Sequence, residues 1–396
     1  MARLLERLPD RLQRYRDQTR YRQRQSHSDS GSVVFNSNDY LGLSQHPRLI
    51  SAFAEAVSRY GAGSGGSHLV CGHHRQHQLL EQELADFVQR ERALLFSSGY
   101  AANLGVMQAL LSRHDRVVGD RLNHASLIDA ARLCGVTHHR YRHLDIEHAR
   151  QLLQRESERG LLLATDGVFS MDGDIAPLAG LATVAGDTEA TLFVDDAHGF
   201  GVLGPHGEGS VTAAGLDSEQ VPVLMATLGK SAGLQGAFVA GSEALIEALI
   251  QFSRTYIYTT ALPPAVAAAL RVSIRLIAEE SWRRERLQEN IDIFQSLARQ
   301  EGLSLLDSTT AIQGVSVGDA QLALRCAEQV CEQGYLVTAI RAPTVPAGSE
   351  RIRITLTSLH RHEQIAGLVV ALARAMPEAA HSSKRDVLEK SSEAAH

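Results

Sequence analysis

The sequence predicts an α/β protein: a large domain on a mostly parallel central sheet, followed by a smaller α+β domain. Three observations carry that expectation. Short apolar runs that do not alternate recur between amphipathic stretches, as strands do when helices cover both faces of their sheet. Residues able to do chemistry fall just after those runs, where open parallel sheets bind ligands. The pattern then breaks near Tyr256-Ile-Tyr-Thr-Thr-Ala-Leu-Pro263-Pro264 and resumes with a long helical pattern and then shorter, mixed elements.

Taken in order, Leu4, Leu5, Leu8 and Leu12 recur at helical spacing among arginines from Arg3 to Arg24. They predict an amphipathic first helix packed on the body. Glu6, Asp10 and Asp17 interrupt the basic run and serine is absent until Ser26, which argues against a transit peptide. A weaker reading has the basic face meet an acidic carrier protein. A polar stretch from Gln23 to Gly31 leads into the body. Ala93–Phe96 reads as a strand, and Ser97-Ser-Gly99 turns into a helix through Leu111. Further strands are expected at Arg116–Gly119, Leu161–Thr165, Thr191–Val194, Pro222–Ala226 and Ala237–Ala240. One long helical pattern runs from Ala265 to roughly Ala298, then strand-like runs at Gly314–Val317, Tyr335–Ile340 and Arg351–Leu356. The expected segments are 1–45 (first helix and linker), 46–268 (large domain), 269–376 (small domain) and 377–396 (a fraying tail).

The 396 residues are 44% hydrophobic and 21% charged, enough to bury a large core. A net charge of −6 supplies no field for nucleic acid or an anionic membrane. No run of about 18 apolar residues exists to span a bilayer. Four cysteines without a CxxC pair fit a reducing cytoplasm rather than a disulfide framework. His68, His73, His74 and His77 cluster without a zinc-site spacing, so no metal is expected and they read as loop and helix-surface residues. Gly61-Ala-Gly63-Ser-Gly65-Gly66-Ser67 lacks the preceding strand of a dinucleotide loop and reads as a flexible substrate-side loop.

Four signals carry chemistry. Lys230, in Thr227-Leu-Gly-Lys230, follows a strand, where a buried amine loses proton affinity and becomes nucleophilic. On this segment alone, an ordinary surface lysine after a turn is the better reading. Asp195 ends a strand in Asp195-Asp-Ala-His198-Gly, placed to pair with a pyridinium nitrogen while His198 reaches a phenolic oxygen. A metal-binding or core Asp/His pair is the plainer reading. Ser97-Ser-Gly99-Tyr100 exposes amides at a helix N-terminus, a phosphate site. His124, in Asn123-His-Ala-Ser126, can lie over an aromatic ring. Together, and in this order, they point to pyridoxal 5′-phosphate (PLP).

With Asn38-Asp-Tyr-Leu-Gly-Leu43, Tyr258-Thr-Thr-Ala-Leu-Pro-Pro264 and Pro343-Thr-Val-Pro-Ala-Gly348 added, the motif set resembles the α-oxoamine synthase family of PLP fold type I, over residues 30–375. The resemblance implies that Lys230 holds PLP covalently. Asp195 then faces the pyridine nitrogen, His198 the phenolic oxygen, and His124 stacks on the ring. Gly99 and Tyr100 sit at the phosphate, with Ser170 and Thr227 as further contacts. It implies that Thr259 and Thr260 reach the neighbouring subunit's phosphate, hence a homodimer with its site at the subunit interface. Arg353 is implied as a carboxylate clamp, with Asn38, Thr344 and Arg22 (or Arg20) on the substrate side.

The implied reaction is a decarboxylative condensation of an amino acid with an acyl thioester. The likeness is greatest to the members that join L-alanine to a pimeloyl group, carried on coenzyme A or acyl carrier protein, in biotin biosynthesis. Family members using glycine or serine are the alternative. Two departures stand out. Asp166 replaces the usual glutamate and shortens a hydrogen-bonding arm, and Phe200 replaces a small polar residue and is expected to reshape a substrate channel.

Overall fold

The computed structural model describes residues 3–24, 31–154 and 160–376. The expected tail, 377–396, lies outside the described residues, as does most of the polar stretch before Gly31. The chain divides into two compact units, one of residues 38–170 and 174–286, the other of 1–37, 171–173 and 287 onward. In chain order the strands are β1 (Val33–Val34), β2 (Arg92–Phe96), β3 (Arg116–Asp120), β4 (Thr137–Tyr141), β5 (Leu161–Asp166) and β6 (Thr191–Asp195). They continue with β7 (Val223–Thr227), β8 (Ala237–Gly241), β9 (Ile312–Ser316), β10 (Tyr335–Leu336), β11 (Thr338–Ile340) and β12 (Arg351–Thr355).

The first unit is built on a seven-stranded sheet of order β2-β8-β7-β6-β5-β3-β4. Only β8 runs antiparallel to its neighbours, pairing with β2 and β7. The apolar strands β2, β3, β5 and β6 are buried along nearly their whole length, which is why they do not alternate. Phe193, Leu162 and Val117 from the sheet share a buried cluster with Val106, Met107 and Leu127 from the helices Gly99–Leu110 and Ala125–Cys134. Gly105 lets the first of these helices come close: a Cβ there would meet Phe96 at 2.9 Å and Thr255 Oγ1 at 2.7 Å. The strand β4 escapes the sequence reading because Thr-His-His-Arg-Tyr lies at the sheet edge and buries only Tyr141.

The second unit carries the antiparallel sheet β11-β12-β9 and a parallel pair, β1 with β10. The amide of Thr355 donates to Phe35 O at 2.7 Å, tying the N-terminal segment to β12. Helices Ala320–Glu332 and His362–Ala375 bury Cys326, Val330, Leu368 and Leu372.

Four expectations are corrected. The expected first helix is two, Arg3–Glu6 and Leu8–Asp17, and Leu4, Leu5, Leu8 and Leu12 are exposed in the single chain rather than packed on the body. The pattern from Ala265 to Ala298 is two helices, Pro264–Glu279 and Trp282–Gln300. No glycine or proline marks the break; Glu280 leaves the helical conformation at φ −101° and ψ 61°, and its carboxylate meets Arg283 Nε at 2.7 Å and His46 Nε2 at 3.3 Å. The glycine-rich loop is pinned rather than flexible: Ala261 N donates to Gly66 O at 2.9 Å and Ser64 Oγ to Ala261 O at 2.8 Å. Phe200 is fully buried, edge-on to Phe87 and Phe238 with ring centroids at 5.8 and 5.2 Å, so it fills the core and lines no channel.

Candidate active site

The carboxyl ends of β2, β3, β5, β6 and β7 converge on a cavity of about 180 Å³ in the first unit. Its lining brings together Gly99, Tyr100, His124, Ser170, Asp195, His198, Thr227 and Lys230, with Asp166 beside them. Thr259 and Thr260 are not among its lining residues. The segment that carries them pairs instead with the glycine-rich loop, Thr260 bridging to Ser67.

At one end, Ser98 caps the helix Gly99–Leu110. Its hydroxyl accepts from Ala101 N at 3.2 Å and its carbonyl from Ala102 N at 3.0 Å. The first-turn amides of Gly99 and Tyr100 remain for an anion, where the helix dipole also favours one.

At the other end two carboxylates face each other. Asp195 is buried; its Oδ2 accepts from Asn103 Nδ2 at 2.6 Å and its Oδ1 from Ala197 N at 3.1 Å. Asp166 accepts the amide of His124 at 3.2 Å with both oxygens, so its shorter arm still reaches β3's exit. Burial, then the nearby Asp195 charge, raises the Asp166 pKa well above the usual carboxylate range. A second negative charge is disfavoured beside Asp195, so a cation such as a protonated pyridine nitrogen would be welcome at this pair. The neighbouring Asp196 is a scaffold residue. A Cβ at Gly199 or Gly209 would overlap its carboxylate, and burial lifts its pKa to about 7.

Between these ends lie the two imidazoles and the lysine. His124 Nδ1 accepts the Ser126 amide at 3.3 Å and, 2.7 Å away, the hydroxyl of Ser126, whose Oγ itself accepts from Asn103 Nδ2 at 2.8 Å. His124 is therefore the Nε2–H tautomer, and burial lowers its pKa and keeps it neutral. Lys230 Nζ lies 2.7 Å from His198 Nε2. The Lys230 loop is shaped by Thr227, whose Oγ1 donates to Gly236 O and accepts from Gly229 N. Backbone amides for a phosphate, an acidic pair for a pyridinium, and an amine in reach of an imidazole: this donor set fits PLP.

Residues 30–372 match the family described as aminotransferase class I and II. The chain belongs to that family. Among its relatives, the 8-amino-7-oxononanoate synthase of Hahella chejuensis is 54% identical over 86% of each chain. That of Cellvibrio japonicus is 52% identical over 92% of this chain and 94% of its own. Among solved structures, the 8-amino-7-oxononanoate synthase of Francisella tularensis is 33% identical, with a TM-score of 0.78, covering 87% of this chain and 98% of its own. The serine palmitoyltransferase of Sphingomonas wittichii is 32% identical, with a TM-score of 0.84, covering 87% of both. Family membership makes the fold PLP fold type I and the cofactor PLP.

The substrate-side residues are spread over both units. Arg22 and Thr344 line a second cavity, of about 940 Å³, in the second unit, and Arg20 joins them there. Arg353 is buried on β12 and donates from Nη1 to Thr355 Oγ1 at 2.9 Å. Asn38 lies in the first unit, where its Oδ1 is 3.4 Å from Tyr40 Oη.

Sequence reasoning quoted Asn103, Ser126 and Tyr40 inside motifs without giving them work, because their roles are hydrogen bonds to other motifs. It missed Arg341, which donates to Thr19 O at 2.6 Å and Tyr21 O at 2.7 Å and so fixes the segment bearing Arg20 and Arg22. It also misjudged two histidines: His68 and His77 are buried. His68, His73 and His77 do gather their ring nitrogens. Yet His77 Nδ1 accepts from His74 N at 2.9 Å, which leaves Nε2–H to donate to Leu262 O at 2.7 Å. With both nitrogens engaged, His77 has no lone pair for a metal.

Proposed function

We propose that the chain makes 8-amino-7-oxononanoate, CO₂ and a free thiol from L-alanine and a pimeloyl thioester, using PLP. The supporting observation is the convergence of Lys230, His198, Asp195 and His124 on one cavity beneath a helix N-terminus, in a chain half identical to enzymes of that name.

When bound, PLP supplies an electron sink for charge developing at the amino acid's α-carbon. The chain's residues do the rest. Lys230 Nζ would hold the cofactor covalently and, when free, would take and return the α-proton of the amino acid. Asp195, oriented by Asn103, would keep the pyridine nitrogen protonated. His198 would donate to the phenolic oxygen and His124 would cover the ring. Gly99 and Tyr100 would hold the phosphate, with Ser170 and Thr227 beside them. Arg353 takes the amino acid carboxylate, and Arg22 or Arg20, with Asn38 and Thr344, contacts the acyl donor.

The assembly we propose is a homodimer in which Thr259 and Thr260 reach the partner's phosphate site. Exposed apolar side chains near that segment support it: Leu69, Val70, Phe252 and Tyr258 are 51–81% exposed in the single chain. A cytoplasmic location is supported by four cysteines that form no disulfide with one another. No helix among the described residues is long and apolar enough to cross a membrane.

The test is CO₂ release from the PLP-loaded protein given L-alanine, glycine or L-serine, with pimeloyl-CoA or pimeloyl-acyl carrier protein. Release with alanine and a pimeloyl donor supports the reading, and comparing the two donors identifies the carrier. Turnover only with glycine and a short acyl-CoA would keep the family and replace the substrates.

A further inference from the structure

The motif Asn38-Asp-Tyr-Leu-Gly-Leu43 is folded so that Tyr40 points inward. Asp39 caps the following turn, accepting from Leu43 N at 3.0 Å and Ser44 N at 3.1 Å, and Gly42 takes the left-handed conformation that the turn needs. The backbone of Leu43 and Ser44 then packs on Gly233 in the Lys230 loop, where a Cβ would lie 2.5 Å from Ser44 N. The turn and the lysine loop are thereby locked together. Tyr40 is 1% exposed, and its Oη lies 2.5 Å from His198 Nδ1. His198 Nε2 lies 2.7 Å from Lys230 Nζ, so one imidazole stands between a phenol and the amine.

The row Tyr40–His198–Lys230 admits two proton arrangements when the imidazole is neutral. In one, Tyr40 O–H donates to Nδ1, leaving Nε2–H to face Nζ, which must then be the uncharged amine. In the other, Nδ1–H donates to the phenol oxygen, Nε2 accepts from a lysine ammonium, and the Tyr40 hydrogen turns to a different acceptor. The distance chooses between them: 2.5 Å is the reach of an O–H donor and shorter than an N–H donor ordinarily comes, so the phenol donates to Nδ1. His124 is held in the matching tautomer by the same device, a hydroxyl donating to Nδ1.

We infer that Tyr40 is a positioning residue that fixes His198 as the Nε2–H tautomer, favouring an uncharged Lys230 amine before cofactor attachment and a hydrogen-bond donor to the ring oxygen afterwards. The inference rests on the reading of Lys230 and His198 as the cofactor-holding pair. The other titratable groups lining this cavity are Asp166, Asp195, His124 and Tyr100. Tyr40→Phe leaves all of them in place.

Two measurements test it, neither needing alanine or an acyl donor. In the first, the cofactor-free protein is mixed with PLP from pH 6 to 9.5 and attachment at Lys230 is followed by absorbance. Relative to wild type, Tyr40→Phe should attach about tenfold more slowly at pH 7, the effect of one such hydrogen bond, and recover by about pH 9. A loss equal at every pH, or none, overturns the inference. In the second, ¹⁵N shifts of His198, assigned with a His198 variant, should show protonated Nε2 and bare Nδ1 in the neutral wild-type protein. A protonated Nδ1 overturns the inference even if Tyr40→Phe does not fold. If PLP attaches to the wild type at no pH, it is the functional reading that fails.

Discussion

His143 makes the protein's stability depend on pH in a way that can be calculated. Its Nδ1 lies 2.9 Å from Asp120 Oδ1 and its Nε2 2.7 Å from Asp174 Oδ2, with its ring edge-on to Phe169 at 4.5 Å. The imidazolium joins the end of β3 to the hairpin closed by Val168 and Ile175, which carries Ser170 into the cavity. Burial opposes the charge, but the two carboxylates outweigh it and raise the His143 pKa from 6.5 to about 9. At 1.36 kcal/mol per pKa unit, this rise corresponds to about 3 kcal/mol. The His143 side chain is 15% exposed, so solvent screens the triad little.

The sign follows from the direction of the shift. The folded state binds the proton more tightly, so the stabilisation is complete below the unfolded pKa of 6.5. It shrinks as pH rises and is gone above about 9. The assay compares urea unfolding midpoints of wild type and His143→Gln from pH 6 to 9.5, both saturated with PLP. Wild type should lose up to about 3 kcal/mol more than the variant across that range. Equal losses would refute the cationic bridge. A wild type that gains on the variant as pH rises would reverse its sign.

Other outcomes follow from the same geometry. Lys230→Ala should abolish turnover, and retained turnover would remove the lysine from the chemistry. Asp195→Asn should still bind PLP but slow α-proton exchange of alanine by about 100-fold or more, measured by deuterium incorporation. Gly209→Ala places a Cβ on the Asp196 carboxylate at a φ of +120° and should lower stability by about 3 kcal/mol or more, read as a fall in melting temperature. Phe200→Ala empties a core position and should cost about 3–5 kcal/mol while the KM for the pimeloyl donor stays unchanged. A changed KM in a folded variant would return Phe200 to the substrate channel.

The strands of the large sheet were legible because burial on both faces forces continuous apolar runs, as in Leu161–Asp166. The edge strand Thr137–Tyr141 was not, since only one of its residues needs to be apolar. The eight expected site residues that line the cavity were legible for a related reason. Each ends a strand, lies within four residues after one, or opens a helix, and short βα junctions leave local sequence to fix the chemistry. Residues that act by holding another motif, such as Asn103 on Asp195 or Arg341 on Thr19 and Tyr21, gave no local signal.

By itself, then, the sequence determined the order of elements, the residue types at the site and the cofactor chemistry they suit, because these depend on periodicity and short-range spacing. Only the tertiary structure decided the protonation states and the directions in which side chains point. Phe200 turned to the core rather than a channel because Phe87 and Phe238 receive it. His77 was closed to metal by a carbonyl 185 residues away. The tautomer of His198 is governed by Tyr40, 158 residues earlier in the chain. Such choices turn on contacts between distant segments, at 2.5 and 2.7 Å for the two histidines, and no local pattern encodes those.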